Sequence, residues 1–223
     1  MQKQFIFFFL LLLLIPFSNA KSQKVKSNDL QLWAAFELEF KLFSGLSLQL
    51  SDEMRFEKNI DQLDCNLLDV GLQYRITDFL KLSAAYKLKS RRDNTNDDVY
   101  LIAATTAFNI DRFNLNYRIR YENEPYKENE KENNIRNRFG VQYNIKDFPL
   151  SPFVSGEIFY RFNYDKGDRF NRYKLRIGIE YEPFKNQKID LDYTYDSEFN
   201  MKKIDIKRII GITYSIDLDC LSF

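Results

Sequence analysis

The stretch Tyr173-Lys174-Leu175-Arg176-Ile177-Gly178-Ile179-Glu180-Tyr181 alternates large apolar side chains with charged or small ones at every step. Successive side chains of an extended strand point to opposite faces, so this stretch makes a strand with one greasy face and one charged face. The same two-residue rhythm runs through Leu68, Val70, Leu72, Tyr74 and Ile76, through Leu80, Leu82, Ala84, Tyr86 and Leu88, and through Phe113, Leu115, Tyr117, Ile119 and Tyr121. It recurs in almost every segment from Leu32 to Leu218. A sheet of such strands must hide its apolar face, either against a core or against lipid after closing into a barrel.

Strand segments are expected at roughly 30–42, 46–57, 66–77, 80–91, 98–110, 112–124, 134–146, 151–163, 170–183, 187–196 and 204–218. They exceed the usual globular strand of about 5–6 residues and match the roughly 9–11 that a tilted membrane strand needs. Short connections (Phe43–Gly45, Thr77–Phe79, Asp111, Lys146–Leu150, Pro183–Asn186) alternate with longer polar ones. The longer set is Lys58–Asn66, Arg91–Asp98, Asn123–Asn134, Asn163–Arg169 and Asp196–Lys203. The expected fold is therefore all-β: an antiparallel up-and-down transmembrane β-barrel of 10–12 strands, with the long loops outside and the short turns in the periplasm. Single-chain barrels usually have an even number of strands, so ten or twelve is expected in place of the eleven segments counted.

The N-terminus carries Lys3, an apolar run from Phe5 to Ile15, Pro16, and the small residues Ser18-Asn19-Ala20. This reads as a secretory signal peptide over 1–20, too short to span a bilayer. A polar leader over 21–29 and a single barrel domain over 30–223 follow. The chain has 33 basic and 32 acidic side chains; losing Lys3 with the signal leaves 32 of each. That neutrality argues against nucleic acid as a partner. Outer-membrane lipid is the expected one, and the cell outer membrane the expected location. The two cysteines, Cys65 and Cys220, fall at opposite ends of this layout and are expected to be free thiols, Cys65 in an external loop.

Catalysis is not expected. General-base and nucleophile chemistry near neutral pH most often uses histidine, and the chain has none. The familiar barrel enzymes of the outer membrane depend on one. Asp190 and Asp192 share a strand face, a spacing that reads as lumen charge. No Gly-rich phosphate loop, serine elbow, metal spacing or cofactor motif is present. Inside a barrel, charged side chains must pair or stay hydrated. The expected lumen network comprises Arg136, Arg138, Glu157, Arg161, Arg172, Arg176 and Glu180, with Glu157 paired to Arg138 or to Arg172 and Arg176 on neighbouring strands. The network either fills the lumen and holds its shape or lines a narrow polar pore. The rival reading is a soluble periplasmic or secreted barrel that turns its apolar face inward around a small apolar ligand.

Three segments resemble a known family. Pro152-Phe153-Val154-Ser155-Gly156-Glu157-Ile158-Phe159 is similar to P-[FY]-[VL]-S-x-E-[LI]-F, a segment of the domain of unknown function 2490 family. Ile135–Tyr143 resembles that family's R-x-R-x-x-x-x-Y strand, and Asn171–Gly178 its N-R-x-R-x-G-x-G strand, with Lys174 and Glu180 at positions often Arg or Gly. The chain also runs on through Asp219–Phe223. The resemblance implies a Bacteroidetes-type outer-membrane barrel with no established activity, and it transfers no catalytic residue.

Overall fold

The computed structural model describes residues 24–93, 95–127, 130–162, 167–201 and 203–219. The segment expected to be a signal peptide and Cys220 lie outside the described residues. The strands are β1 (Lys24–Phe43), β2 (Leu46–Glu57), β3 (Gln62–Thr77), β4 (Leu80–Arg91), β5 (Asn96–Ile110), β6 (Phe113–Lys127), β7 (Glu130–Tyr143), β8 (Leu150–Phe162), β9 (Arg169–Phe184), β10 (Gln187–Glu198) and β11 (Lys203–Asp219). Each pairs with its sequence neighbours, and β1 closes the barrel against β11.

The described residues form eleven strands, within the expected range of 10–12 but not the even number favoured inside it. Each hairpin reverses the chain, so an odd count makes the first and last strands run the same way. The β1–β11 seam is parallel, from Lys24↔Lys203 to Lys41↔Asp219. The apolar alternation holds this seam in phase: Leu32, Ala34, Phe36, Leu38 and Phe40 lie beside Ile210, Ile212, Tyr214, Ile216 and Leu218, all on one face. A slip of one residue would set that face against the charged one.

Tight reversals occupy the turn rim, with Gly45 (φ 83°), Asp111 (φ 53°), Asp147 (φ 55°) and Asn186 (φ 66°) in the left-handed region. Glycine, aspartate and asparagine tolerate that region best. At the opposite, loop rim, strands extend into segments expected to be loops. β3 begins at Gln62, so the loop Lys58–Asn66 shrinks to 58–61; Arg91–Asp98 shrinks to 92–95 and Asp196–Lys203 to 199–202. Most of Asn123–Asn134 is strand, paired out to Lys127↔Glu130. The polar leader likewise ends early, because β1 already starts at Lys24 against β11. Backbone pairing does not require apolar side chains, so polarity alone marks a loop poorly. In the 92–95 loop, the Thr95 hydroxyl (2.5 Å) and amide (3.1 Å) both donate to Asp93 and hold that carboxyl below its ordinary range.

The apolar face points outward. Val70, Leu72, Ile102, Leu175 and Ile177 stand exposed there, Ile177 at 62%. The charged face lines the interior. The apolar face is therefore not the one turned inward.

Two belts of aromatics ring the outside. Near the turns lie Phe43, Phe79, Phe108, Phe113, Phe148, Tyr181 and Phe184, with Phe79 stacked on Phe108 at 5.7 Å and Phe113 tilted against Tyr143 at 5.0 Å. Toward the loops lie Tyr86–Tyr100 (5.5 Å), Tyr121–Phe162 (5.8 Å), Tyr160–Phe170 (5.0 Å) and Tyr173–Tyr195 (6.1 Å). Hydroxyls of this second belt reach polar partners: Tyr86 donates to Asp98 and Tyr121 to Asn133. Eight residues separate Tyr100 from Phe108, Phe113 from Tyr121, and Tyr173 from Tyr181. At ~3.3 Å per residue and a tilt of roughly 40°, that spacing is about 20 Å of height.

Candidate functional site: the charged lumen

The lumen is built by the inward member of every alternating pair. β9 contributes Arg172, Lys174, Arg176 and Glu180; β10 contributes Asp190, Asp192 and Asp196; β6 and β7 contribute Arg118, Arg120, Glu122, Arg136 and Arg138; β8 contributes Glu157 and Arg161. All seven residues expected in the network face inward. Five of them, Arg136, Glu157, Arg172, Arg176 and Glu180, fall into three groups.

The first group centres on Arg136. Its Nε (3.0 Å) and Nη2 (2.9 Å) donate to the two oxygens of Glu157, and its Nη1 donates to Glu122 at 2.7 Å. Glu157 lies directly opposite Arg138 across the β7–β8 ladder, yet its partners are Arg136 and, at 3.5 Å, Arg118. This corrects the pairing expected from the sequence. The second group repeats the geometry. Arg172 faces Glu198 but grips Asp196 with Nε (2.6 Å) and Nη2; Lys174 adds a contact to Asp196 at 3.5 Å. Arg176 faces Thr194 but donates to Asp192 at 2.7 Å. The Arg136–Glu157, Arg172–Asp196 and Arg176–Asp192 pairs each run along one diagonal of the ladder, two residues back on the partner strand, whereas Lys174 lies directly opposite Asp196. Strand twist brings one diagonal closer than the other, and a long guanidinium reaches it with both nitrogens.

The third group is Glu180, which accepts from Gln142 at 2.6 Å and lies 3.8 Å from Lys188. Arg161 is buried, opposite Asn134 in the β7–β8 ladder.

Glycine makes the second group possible. A Cβ at Gly211 would sit 2.3 Å from Asp192 Oδ1, and one at Gly178 would sit 2.6 Å from the Phe153 ring. Both positions face inward, and both must stay bare for the carboxylate and the ring to lie flat on the wall.

Aromatic rings inside the barrel were not anticipated as part of the network. Arg55 lies over Trp33 at 3.8 Å, Arg136 and Arg172 lie over Phe159 at 4.6 and 5.0 Å, and Arg176 lies over Phe153 at 4.9 Å. Each ring attracts the cation above it and covers its apolar side. The signal for these was available: Trp33, Phe153 and Phe159 break the alternation, being large apolar residues on the charged face.

Packing is uneven along the axis. Toward the loops, inward side chains have almost no access to water, with Cys65 at 1%, Ile209 at 1%, Asp196 at 2% and Arg161 at 3%. Cys65 is therefore a lumen residue of β3, not part of an external loop. Toward the turns, inward Lys41, Glu182, Lys188 and Asp219 are well exposed. Two cavities, of about 200 and 330 Å³, lie inside the barrel and are lined in common by Glu37, Glu53 and Arg118; the smaller one also reaches Glu157 and Ile209. Among the described residues no cluster of ligating side chains could hold a metal ion.

The family described as Protein of unknown function (DUF2490) matches residues 30–207. The chain belongs to this family. No curated protein matches it. Among solved structures it is similar to the NanC porin in its rhombohedral crystal form, at 13% identity and a TM-score of 0.50, over 75% of this chain and 86% of that one. At that identity the likeness is one of fold: a closed, all-β barrel.

Proposed function

We propose that this member of the DUF2490 family is a non-enzymatic barrel of the bacterial outer membrane, held in lipid by its outer face. The observation that carries the reading is the exposed apolar band between two aromatic belts, about 20 Å apart. A bilayer band of roughly 25 Å flanked by aromatics is what a transmembrane barrel presents. In water, such a surface would far exceed the few hundred Å² of contiguous apolar patch that monomeric soluble proteins usually expose. The porin-like fold supports the same reading. Tight turns face the periplasm in this orientation, and the 58–61, 92–95 and 199–202 loops face outward.

The lumen then acts as a strut more than a passage. Bidentate ion pairs clamp β7 to β8 and β9 to β10, a single contact from Arg136 to Glu122 ties β6 to β7, and a charged vestibule opens toward the turns. The mature chain, refolded into liposomes, should resist extraction by carbonate and migrate faster on unheated than on heated gels. A chain that stays soluble without detergent would refute the membrane reading. In planar bilayers the folded barrel should show little steady conductance; large open-channel currents would favour a pore over a strut.

A further inference from the structure

We propose that the β6–β7 wall of the lumen binds a small oxyanion, a phosphate or a carboxylate, between the guanidiniums of Arg118 and Arg138, with Arg120 beside them. The site belongs to the lumen wall and does not depend on the barrel lying in a bilayer.

The register sets like charges face to face. Arg118 is directly opposite Arg138, and Arg120 is directly opposite Arg136. Side chains so placed start about 4.5–5.5 Å apart at Cβ, and like charges there repel. Only part of this charge is answered. Both oxygens of Glu157 are taken by Arg136, and Glu122 gives Arg136 a 2.7 Å contact while standing 4.0 Å from Arg120. Arg118 has one long contact, 3.5 Å to Glu157. Among the described residues no carboxylate comes within ion-pair distance of Arg138. The Nε atoms of Arg118, Arg120 and Arg138 are all buried without a hydrogen-bond partner.

Donors left this way are costly unless something accepts from them. The space for that acceptor exists. Arg118 and Arg138 both line the 200 Å³ cavity, and Arg118 and Arg120 both line the 330 Å³ one. The smaller cavity alone has room for roughly six waters at ~30 Å³ each, enough for a small oxyanion and its residual hydration. Carboxylates on the facing wall are engaged locally: Glu53 with Arg55 at 2.5 Å and Glu37 with Ser215 at 3.2 Å. A planar fork of guanidinium donors suits phosphate and carboxylate oxygens, which accept two hydrogen bonds side by side; chloride offers no such pair.

The test uses the mature barrel purified in detergent, with phosphate or acetate replacing chloride at constant ionic strength. Either oxyanion should raise the unfolding temperature above that in chloride, and the more effective of the two identifies the group the site prefers. In Arg118→Gln and Arg138→Gln the concentration giving half the effect should rise about tenfold, the worth of one charge-assisted bond. Lys188→Gln, an inward ammonium at the turn rim, should respond like the wild type. In chloride alone Arg138→Gln should unfold no earlier than the wild type, because it removes an unanswered charge. If Arg138→Gln does not fold, Arg138→Lys carries the test, since it keeps the charge and loses the fork; its half-effect concentration should also rise. An unchanged response in the Arg138 variant that folds, or no wild-type response to either oxyanion, would overturn the site.

Discussion

At the scale of single residues, the inward charges differ sharply in what their loss should do. Glu157 answers Arg136 with both oxygens and Arg118 with one, and is itself buried. Removing one partner of a buried pair typically costs about 3–5 kcal/mol, because the other charge is left uncompensated. Glu157→Gln should therefore lower unfolding stability in detergent by about that amount. Glu182→Gln, at an exposed carboxylate paired with Lys188, should change it by less than about 1 kcal/mol. Equal losses in the two variants would contradict the diagonal network. Ile60 is a second instructive residue. It sits at φ 71°, after Lys58 (φ 56°) and Asn59 (φ 59°), a backbone region that a β-branched side chain disfavours. The Asp29 carboxylate holds the loop in place, accepting from the Lys58 and Asn59 amides at 3.1 and 2.9 Å. Strain of this kind costs about 1–3 kcal/mol. Ile60→Asn should stabilise the barrel by about 1 kcal/mol in a denaturant titration, and Ile60→Val should not.

At the scale of elements, a strand is defined by its two faces, and the consequences of a charge depend wholly on which face receives it. Ile177 on β9 is outward and 62% exposed, between inward Arg176 and Gly178. Arginine at a mid-membrane lipid-facing position costs about 2–4 kcal/mol. Ile177→Arg should therefore reduce folding into liposomes by that margin; an unchanged yield would place this face away from lipid. The faces were legible directly from the alternation, as were most strand cores. The strand ends were not. Polar segments such as Asn123–Asn134 read as loops because their side chains are polar, yet their backbones pair well beyond the apolar band. Pairing partners were also missed: Arg138 lies opposite Glu157 in the ladder, and only the twist decides that Arg136 reaches it.

At the scale of the whole molecule, the odd strand count separates the two ends of the described chain. Lys24 lies at the loop rim and Asp219 at the turn rim. In a background with Cys65 and Cys220 replaced by serine, a membrane-impermeant thiol reagent on intact cells should label cysteine placed at Lys26 or Asn59 and spare Asn186→Cys. Labelling of Asn186→Cys alone would reverse the orientation. Native Cys65, at 1% exposure inside the lumen, should react only after unfolding. The sequence by itself determined that this chain makes long two-faced strands, that they close into an up-and-down barrel, and which residues share the charged face. Those features follow from a period of two, which any local segment displays. Only the tertiary structure decided the strand number, the parallel seam, the diagonal ion pairs and the packed end of the lumen. Each depends on residues far apart in sequence meeting across a twisted, closed sheet, and a local pattern carries no record of which strand lies opposite or how far the twist turns one side chain toward another.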